Sequence, residues 1–225
     1  MSSLTAKALI SFVKKLLAVS LLVFVSAASL KFWEGWVFLI VYFVPQLLTT
    51  IHLLNNDPEL MQRRLKGGPR TEIRVSQKVI MLLVNIFLIL TVLISAFDHR
   101  LGWSSIPPVV VIGADIAVLL GFFVQFQAFK ENSFASQIVA ILPEQKVIST
   151  GPYGIVRHPM YSGALLVVLF TPLALGSWWG LPFALAWLIL IILRLLDEEK
   201  FLSERLPGYG DYCQKVHYRF APHIW

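Results

Sequence analysis

Six long apolar runs dominate this chain and leave few folds open to it. They cover roughly Ala8–Leu30, Trp36–Leu54, Val75–Phe97, Ile106–Phe129, Met160–Leu175 and Trp178–Leu196. Most approach the ~20 residues needed to cross the hydrocarbon of a bilayer. With no water to satisfy a spanning backbone, only helices and closed barrels cross, and runs this long and continuous are helical. Composition agrees: 57% of residues are hydrophobic and 14% are charged, against about 25% charged in soluble domains. The predicted fold is all-α, a polytopic transmembrane bundle of five to six membrane helices. Met160–Leu175 is the short member, and with Trp178–Leu196 across Gly176-Ser177 it reads as a helical hairpin.

The first run has a basic start and a small-residue tail, which imitates a signal peptide. Its length and the five runs after it favour a retained helix. Neither internal repeats nor low-complexity linkers appear, so residues 1–225 read as one domain. Residues 1–130 are then the helices that shape an acceptor pocket, and 131–225 the cofactor-binding half.

Net charge is +6, and its distribution orients the chain. With a cytoplasmic N-terminus and six crossings, every Lys and Arg except Lys31 and Arg100 falls on the cytoplasmic side, as the positive-inside rule requires. Both termini and the polar motif described next are expected there. The basic excess is thus explained by the lipid bilayer as partner, with no nucleic acid. Cys213 is the single cysteine, so no internal disulfide forms; the amphipathic reading of Cys213 is favoured over a thiol nucleophile paired with His217. The five histidines show no ligand spacing, and no metal is expected.

Function concentrates in Gly151-Pro152-Tyr153-Gly154-Ile155-Val156-Arg157-His158-Pro159-Met160-Tyr161 and in Glu198-Glu199. Ionisable groups at a membrane edge are costly unless they serve binding. Pro159 suits the first turn of the fifth apolar helix, which puts His158 at its N-cap, where unpaired N–H groups favour an anion. Asn132–Thr150 reads as a loop broken by Pro143. Antiparallel hairpin geometry brings Arg194 and Glu198, four residues apart on one face, to the same end. His158, Tyr161, Arg194 and Glu198 are therefore expected to converge on one pocket. S-adenosylmethionine, with a carboxylate, an ammonium, a ring and a sulfonium, matches those groups.

These residues carry a resemblance. Thr150-Gly151-Pro152-Tyr153, Arg157-His158-Pro159-Met160-Tyr161, Gly163, Arg194 with Glu198-Glu199, and Pro207-Gly208-Tyr209-Gly210-Asp211-Tyr212 resemble the isoprenylcysteine carboxyl methyltransferase family, integral membrane enzymes related to phospholipid N-methyltransferases. The resemblance implies an S-adenosyl-L-methionine site inside a helical bundle. Gln145, Lys146, Val147, Ile148 and Tyr153 would line the adenosine side. His158, Pro159, Met160 and Tyr161 would hold the methionine end, and Glu198 its amino group. Arg194 would face the substrate and, with Tyr161, serve catalysis. The implied acceptor is lipophilic or prenylated, a small molecule or a protein. Met1–Phe129 shares only its hydrophobic pattern, so the acceptor stays open. So do two other classes: a membrane NADPH-dependent reductase of the sterol-reductase type, and a transporter. His52 and the intramembrane Asn85, Asp115, Gln125 and Gln127 are candidates to touch ligand, with helix packing as the plainer alternative. Asn55–Arg64 reads as a connector capping a short helix, or as a lid.

Overall fold

The computed structural model describes residues 3–67, 72, 74–135 and 144–225. Arg70, counted in the charge pattern, and Pro143, the predicted loop break, lie outside the described residues. The described chain is all helical: α1 Ser3–Ala27, α2 Trp33–Asn56, α3 Pro58–Lys66, α4 Val75–Leu101, α5 Pro108–Glu131, a 3-10 turn Gly151–Gly154, α6 Pro159–Ala174, α7 Leu181–Arg205 and α8 Tyr209–Lys215. Four of these, α1, α2, α4 and α5, are long and apolar enough to cross a membrane. Helix α6, at 16 residues, is shorter. Exposed apolar side chains such as Leu17, Leu21, Ile40, Leu48, Leu82 and Ile189 stud the helices. In water that surface would be untenable; in a bilayer it is the lipid-facing surface.

The final hairpin differs from its sequence-based boundaries. Helix α7 begins only at Leu181 and runs to Arg205, well past the apolar run, because Trp178–Gly180 form the turn. Ser177 Oγ accepts from the Gly180 amide at 3.2 Å and donates to Asp98. Asp98 also accepts from Ser104 through its amide at 2.7 Å and its hydroxyl at 2.6 Å. This buried knot ties the end of α4 to the α6–α7 turn. It satisfies a carboxylate that burial would otherwise penalise heavily.

Helices α5 and α6 come closest together, because glycine meets glycine. A Cβ on Gly121 would sit 2.6 Å from the Gly163 carbonyl oxygen, and one on Gly163 would collide with the Gly121 carbonyl oxygen. Small residues permit such backbone contact in membrane bundles. Elsewhere α1 lies along α4, α2 along α5 and α4 along α7. Short α3 is capped by Asp57, whose Oδ1 accepts from the Leu60 amide at 2.9 Å. It is no fully solvated connector: Leu60 and Met61 are buried against Ala8, Leu53, Phe129 and Ala135.

Candidate functional site

At the end of the bundle opposite the Asp98 knot, α6 starts as the sequence predicts, with His158 at the N-cap and Pro159 at the first position. Two backbone bonds bring in the chain's tail: Arg157 N–H to Tyr218 O at 2.9 Å and His158 N–H to Arg219 O at 2.8 Å. The Arg157 side chain fastens the same tail, donating from Nε to Val216 O at 2.8 Å and from Nη2 to His217 O at 2.9 Å.

The two adjacent glutamates have opposite surroundings. Successive helical positions diverge by about 100°. Glu199 turns into the protein and collects Arg157 at 2.8 Å, His158 Nε2 at 3.3 Å and Arg219 at 2.7 Å. Burial alone would raise its pKa. Hydrogen bonds from His158 and Arg219 and the charges of His158 and Arg157 outweigh that and hold it down at about 2. Glu198 instead lines a cleft, accepting from Tyr161 Oη at 2.6 Å. Among the described residues it has no ion-pair partner within 4.0 Å, whereas Glu199 has three.

That cleft gathers most of the residues singled out in the sequence. Gln145, Lys146, Val147, Ile148, Tyr153, His158, Met160, Tyr161 and Glu198 all line it. Pro159 is buried in the first turn of α6 and lies outside the lining. Arg194, expected to converge on one pocket with His158, Tyr161 and Glu198, does not line it. It is 5% exposed, pairs with Glu72 at 2.8 Å and donates from Nη1 to Gln77 Oε1 at 2.7 Å. Its link to the cleft is indirect, Nε donating to Tyr161 Oη at 3.1 Å. Gln77, fully buried, in turn donates to Asp197, which also pairs with Arg74. Tyr161 Oη thus bridges Arg194 and Glu198.

Leu202, Leu206, Tyr209 and Tyr212 also line the cleft; sequence reasoning places the two tyrosines in a motif without a site role and passes over the two leucines. The Tyr209/Tyr212 doublet, three residues apart on α8, was the available signal: both are buried, and Tyr212 Oη donates to Tyr153 O at 2.7 Å. Burial raises both phenols well above their ordinary value and pushes Tyr153 up to about 12, so these rings enter any ligand contact neutral. Cys213 lies 3.5 Å from Arg157 Nη1, yet burial prevails and raises its thiol, which disfavours a thiolate. His52 packs edge-on against Phe126, ring centroids 5.0 Å apart, and Asn85 bonds back to Met81 O at 2.7 Å; neither lines this cleft. Asp115 is buried at 3% exposure, and among the described residues neither carboxylate oxygen has a hydrogen-bond partner.

A cofactor with an adenosine ring and a charged amino-acid end can be tested against this cleft. Its chemistry fits: neutral aromatic walls, a carboxylate with no ion-pair contact within 4.0 Å among the described residues, and the first turn of α6. The free volume is about 100 Å³, below the roughly 300–1,000 Å³ of small-molecule sites. A nucleoside-sized ligand therefore requires the walls to move apart.

Fold and cleft together define an integral membrane helical protein with a polar site at one end of the bundle. Residues 109–208 match the Phospholipid methyltransferase family, a span from the first turn of α5 through α7 that holds Gln145–Ile148, Tyr153, His158–Tyr161, Arg194 and Glu198. A segment of 84 residues, 36% of the chain, is 31% identical to Delta(14)-sterol reductase TM7SF2 of Mus musculus. The chain aligns with only 20% of that protein's length.

Proposed function

We propose that this protein is an integral membrane methyltransferase that uses S-adenosyl-L-methionine to methylate a lipophilic or lipid-linked acceptor. An isoprenylcysteine carboxyl group is the acceptor its motifs resemble most. The observation that carries the reading is the contrast between Glu198 and Glu199: one carboxylate is held by Arg157, Arg219 and His158, and the other lines the cleft with no cation within 4.0 Å among the described residues. A cationic amino-acid end is the complement of such a group.

The bound cofactor would supply an activated methyl group on a sulfonium. Glu198 would hold the amino group, Tyr161 would keep Glu198 oriented, and Arg194 would keep Tyr161 in place. Tyr153, Tyr209 and Tyr212 would form the apolar wall beside the adenosine and exclude water. Gln145, Lys146, Val147 and Ile148 would border the same side, and His158, Pro159 and Met160 the methionine end. Positioning is then most of the task. A carboxylate acceptor is ionised at neutral pH and needs no base.

A reductase reading has one observation behind it, the partial likeness to a sterol reductase. The two are separated by thermal shift of the detergent-purified protein. S-adenosylhomocysteine should raise Tm by several degrees at saturation, and NADPH should leave it unchanged. The reverse result would replace this reading with the reductase one.

A further inference from the structure

Arg194 and Glu198 stand four residues apart on α7, a spacing at which an arginine and a glutamate ordinarily pair. Here they do not. Among the described residues no cation lies within ion-pair distance of Glu198, and the guanidinium of Arg194 is committed elsewhere. Its Nη2 meets Glu72 at 2.8 Å, Nη1 donates to Gln77 Oε1 at 2.7 Å and Nε donates to Tyr161 Oη at 3.1 Å. All three nitrogens of the side chain are thereby engaged. Arginine can only donate, so the phenol turns its own proton to Glu198 Oε2, at 2.6 Å. One hydroxyl thus stands between the two charges.

Glu72 comes from the connection before α4, and Gln77 from the first turn of α4. Both are buried, at 3% and 0% exposure. Gln77 Nε2 donates to Asp197, which also pairs with Arg74. That fixes the amide with its oxygen toward Arg194. A buried ion pair is a poor stabiliser, and replacing both partners by apolar groups of similar volume is often neutral or favourable. The burial of Glu72 therefore directs attention to what it does to Arg194. Two other cations line the cleft, Arg157 and Lys146. Glu199 engages Arg157, and Lys146 is exposed. Arg194 is the buried cation on Glu198's own helix.

We propose that Glu72 is a specificity-determining residue: it holds Arg194 away from Glu198 and so leaves that carboxylate to the ammonium of a ligand's amino-acid end. The identity of the ligand rests on the methyltransferase reading; the role of Glu72 is additional to it. Without the Glu72 charge, the carboxylate one turn along the helix from Arg194 is Glu198, on the far side of a single hydroxyl. A pair between them would neutralise Glu198, and the cleft would lose its preference for a cation.

The test uses the full chain in neutral detergent with two ligands, S-adenosylhomocysteine and its deamino analogue, which differ only in the ammonium. By calorimetry wild type should bind S-adenosylhomocysteine about tenfold more tightly, the scale of one charge-assisted hydrogen bond. Glu72→Gln should cut that preference to about threefold or less. The double variant Glu72→Gln/Arg194→Met should restore it, because no guanidinium is left to pair with Glu198. A merely structural role for Glu72 predicts the opposite, a double variant as poor as the single or worse. Asp98→Asn, in the buried knot at the other end, should lower Tm and leave the preference intact. Equal binding of the two ligands by wild type would overturn the proposal. So would a preference that survives Glu72→Gln, or one that is missing from the double variant. If Glu72→Gln fails to fold, the double variant decides, since the preference must persist in it. A ligand-free structure of Glu72→Gln gives a readout independent of the cofactor. Arg194 and Glu198 should lie within about 4 Å of each other there, the distance of an ion pair, and a guanidinium still apart from Glu198 would overturn the proposal. Failure of wild type to bind either ligand, with that pair formed in the variant, would count against the methyltransferase reading alone.

Discussion

Glu198 and Glu199 are chemically identical neighbours, and a difference of one helical position gives them different surroundings. Glu198→Gln preserves volume and removes the charge that faces the cleft. S-adenosylhomocysteine affinity should fall by roughly 1.5–3 kcal/mol, the range of a charged hydrogen bond, with Tm unchanged in calorimetry and melting of one sample. Glu199→Gln should do the opposite. It strands Arg157, His158 and Arg219, and loss of one member of a buried charge cluster costs on the order of 3–5 kcal/mol. The pH dependence follows from the depressed pKa. Glu199 sits at about 2 in the fold against 4.5 when free. Its stabilisation, on the order of 3 kcal/mol, is complete above about 4.5 and is lost as pH falls toward 2. Melting curves of wild type and Glu199→Gln should therefore converge between pH 5 and 2; curves that stay parallel would show that Glu199 is not held ionised by its partners. The neighbouring Arg194 shows why side-chain roles were only partly legible. Its spacing to Glu198 implied a pair within one helix, but Glu72 and Gln77, more than 115 residues away, take the guanidinium. Nothing in a local window announces partners at that separation.

At the scale of elements, the sequence revealed more where the period was long and apolar. Helices α1, α2, α4 and α5 lie where their runs predict, because a lipid-facing helix must be apolar for its whole crossing. Helix α7 was misjudged because its apolar run includes the tryptophans of the preceding turn and excludes the polar extension that serves the site. The tail was not legible at all as a structural element: Tyr218 and Arg219 are held to Arg157 and His158 by backbone bonds, which carry no side-chain signal. Gly163 was noticed for its place in a motif, and the structure supplies the reason. Gly163→Ala should destabilise the protein by about 1–3 kcal/mol, the usual cost of overpacking, since its Cβ meets the Gly121 carbonyl and, at 2.7 Å, Gln125. Gly113→Ala on α5 is the control: a Cβ there has nothing within 4 Å, so helix propensity alone predicts a neutral or slightly stabilising change. Comparable Tm values for the two variants would mean that α5 and α6 are not in backbone contact.

For the whole molecule, polarity is divided between two ends with an apolar middle. One end closes on the Asp98 knot; the other holds the cleft, the tail, α3 and most of the basic side chains. A basic end facing the cytoplasm is what the positive-inside rule requires. It would place the cleft where a soluble nucleoside cofactor can enter while a lipophilic partner arrives through the bilayer. In a Cys213→Ser background, an impermeant maleimide added to intact cells should label Ser105→Cys and spare Glu204→Cys. Both positions are exposed, and Ser105 avoids the Ser104 contacts with Asp98. Permeabilisation should then make Glu204→Cys reactive. The inverse pattern would put the basic end and the cleft outside, away from any cytoplasmic S-adenosylmethionine, and would count against the methyltransferase reading along with the topology.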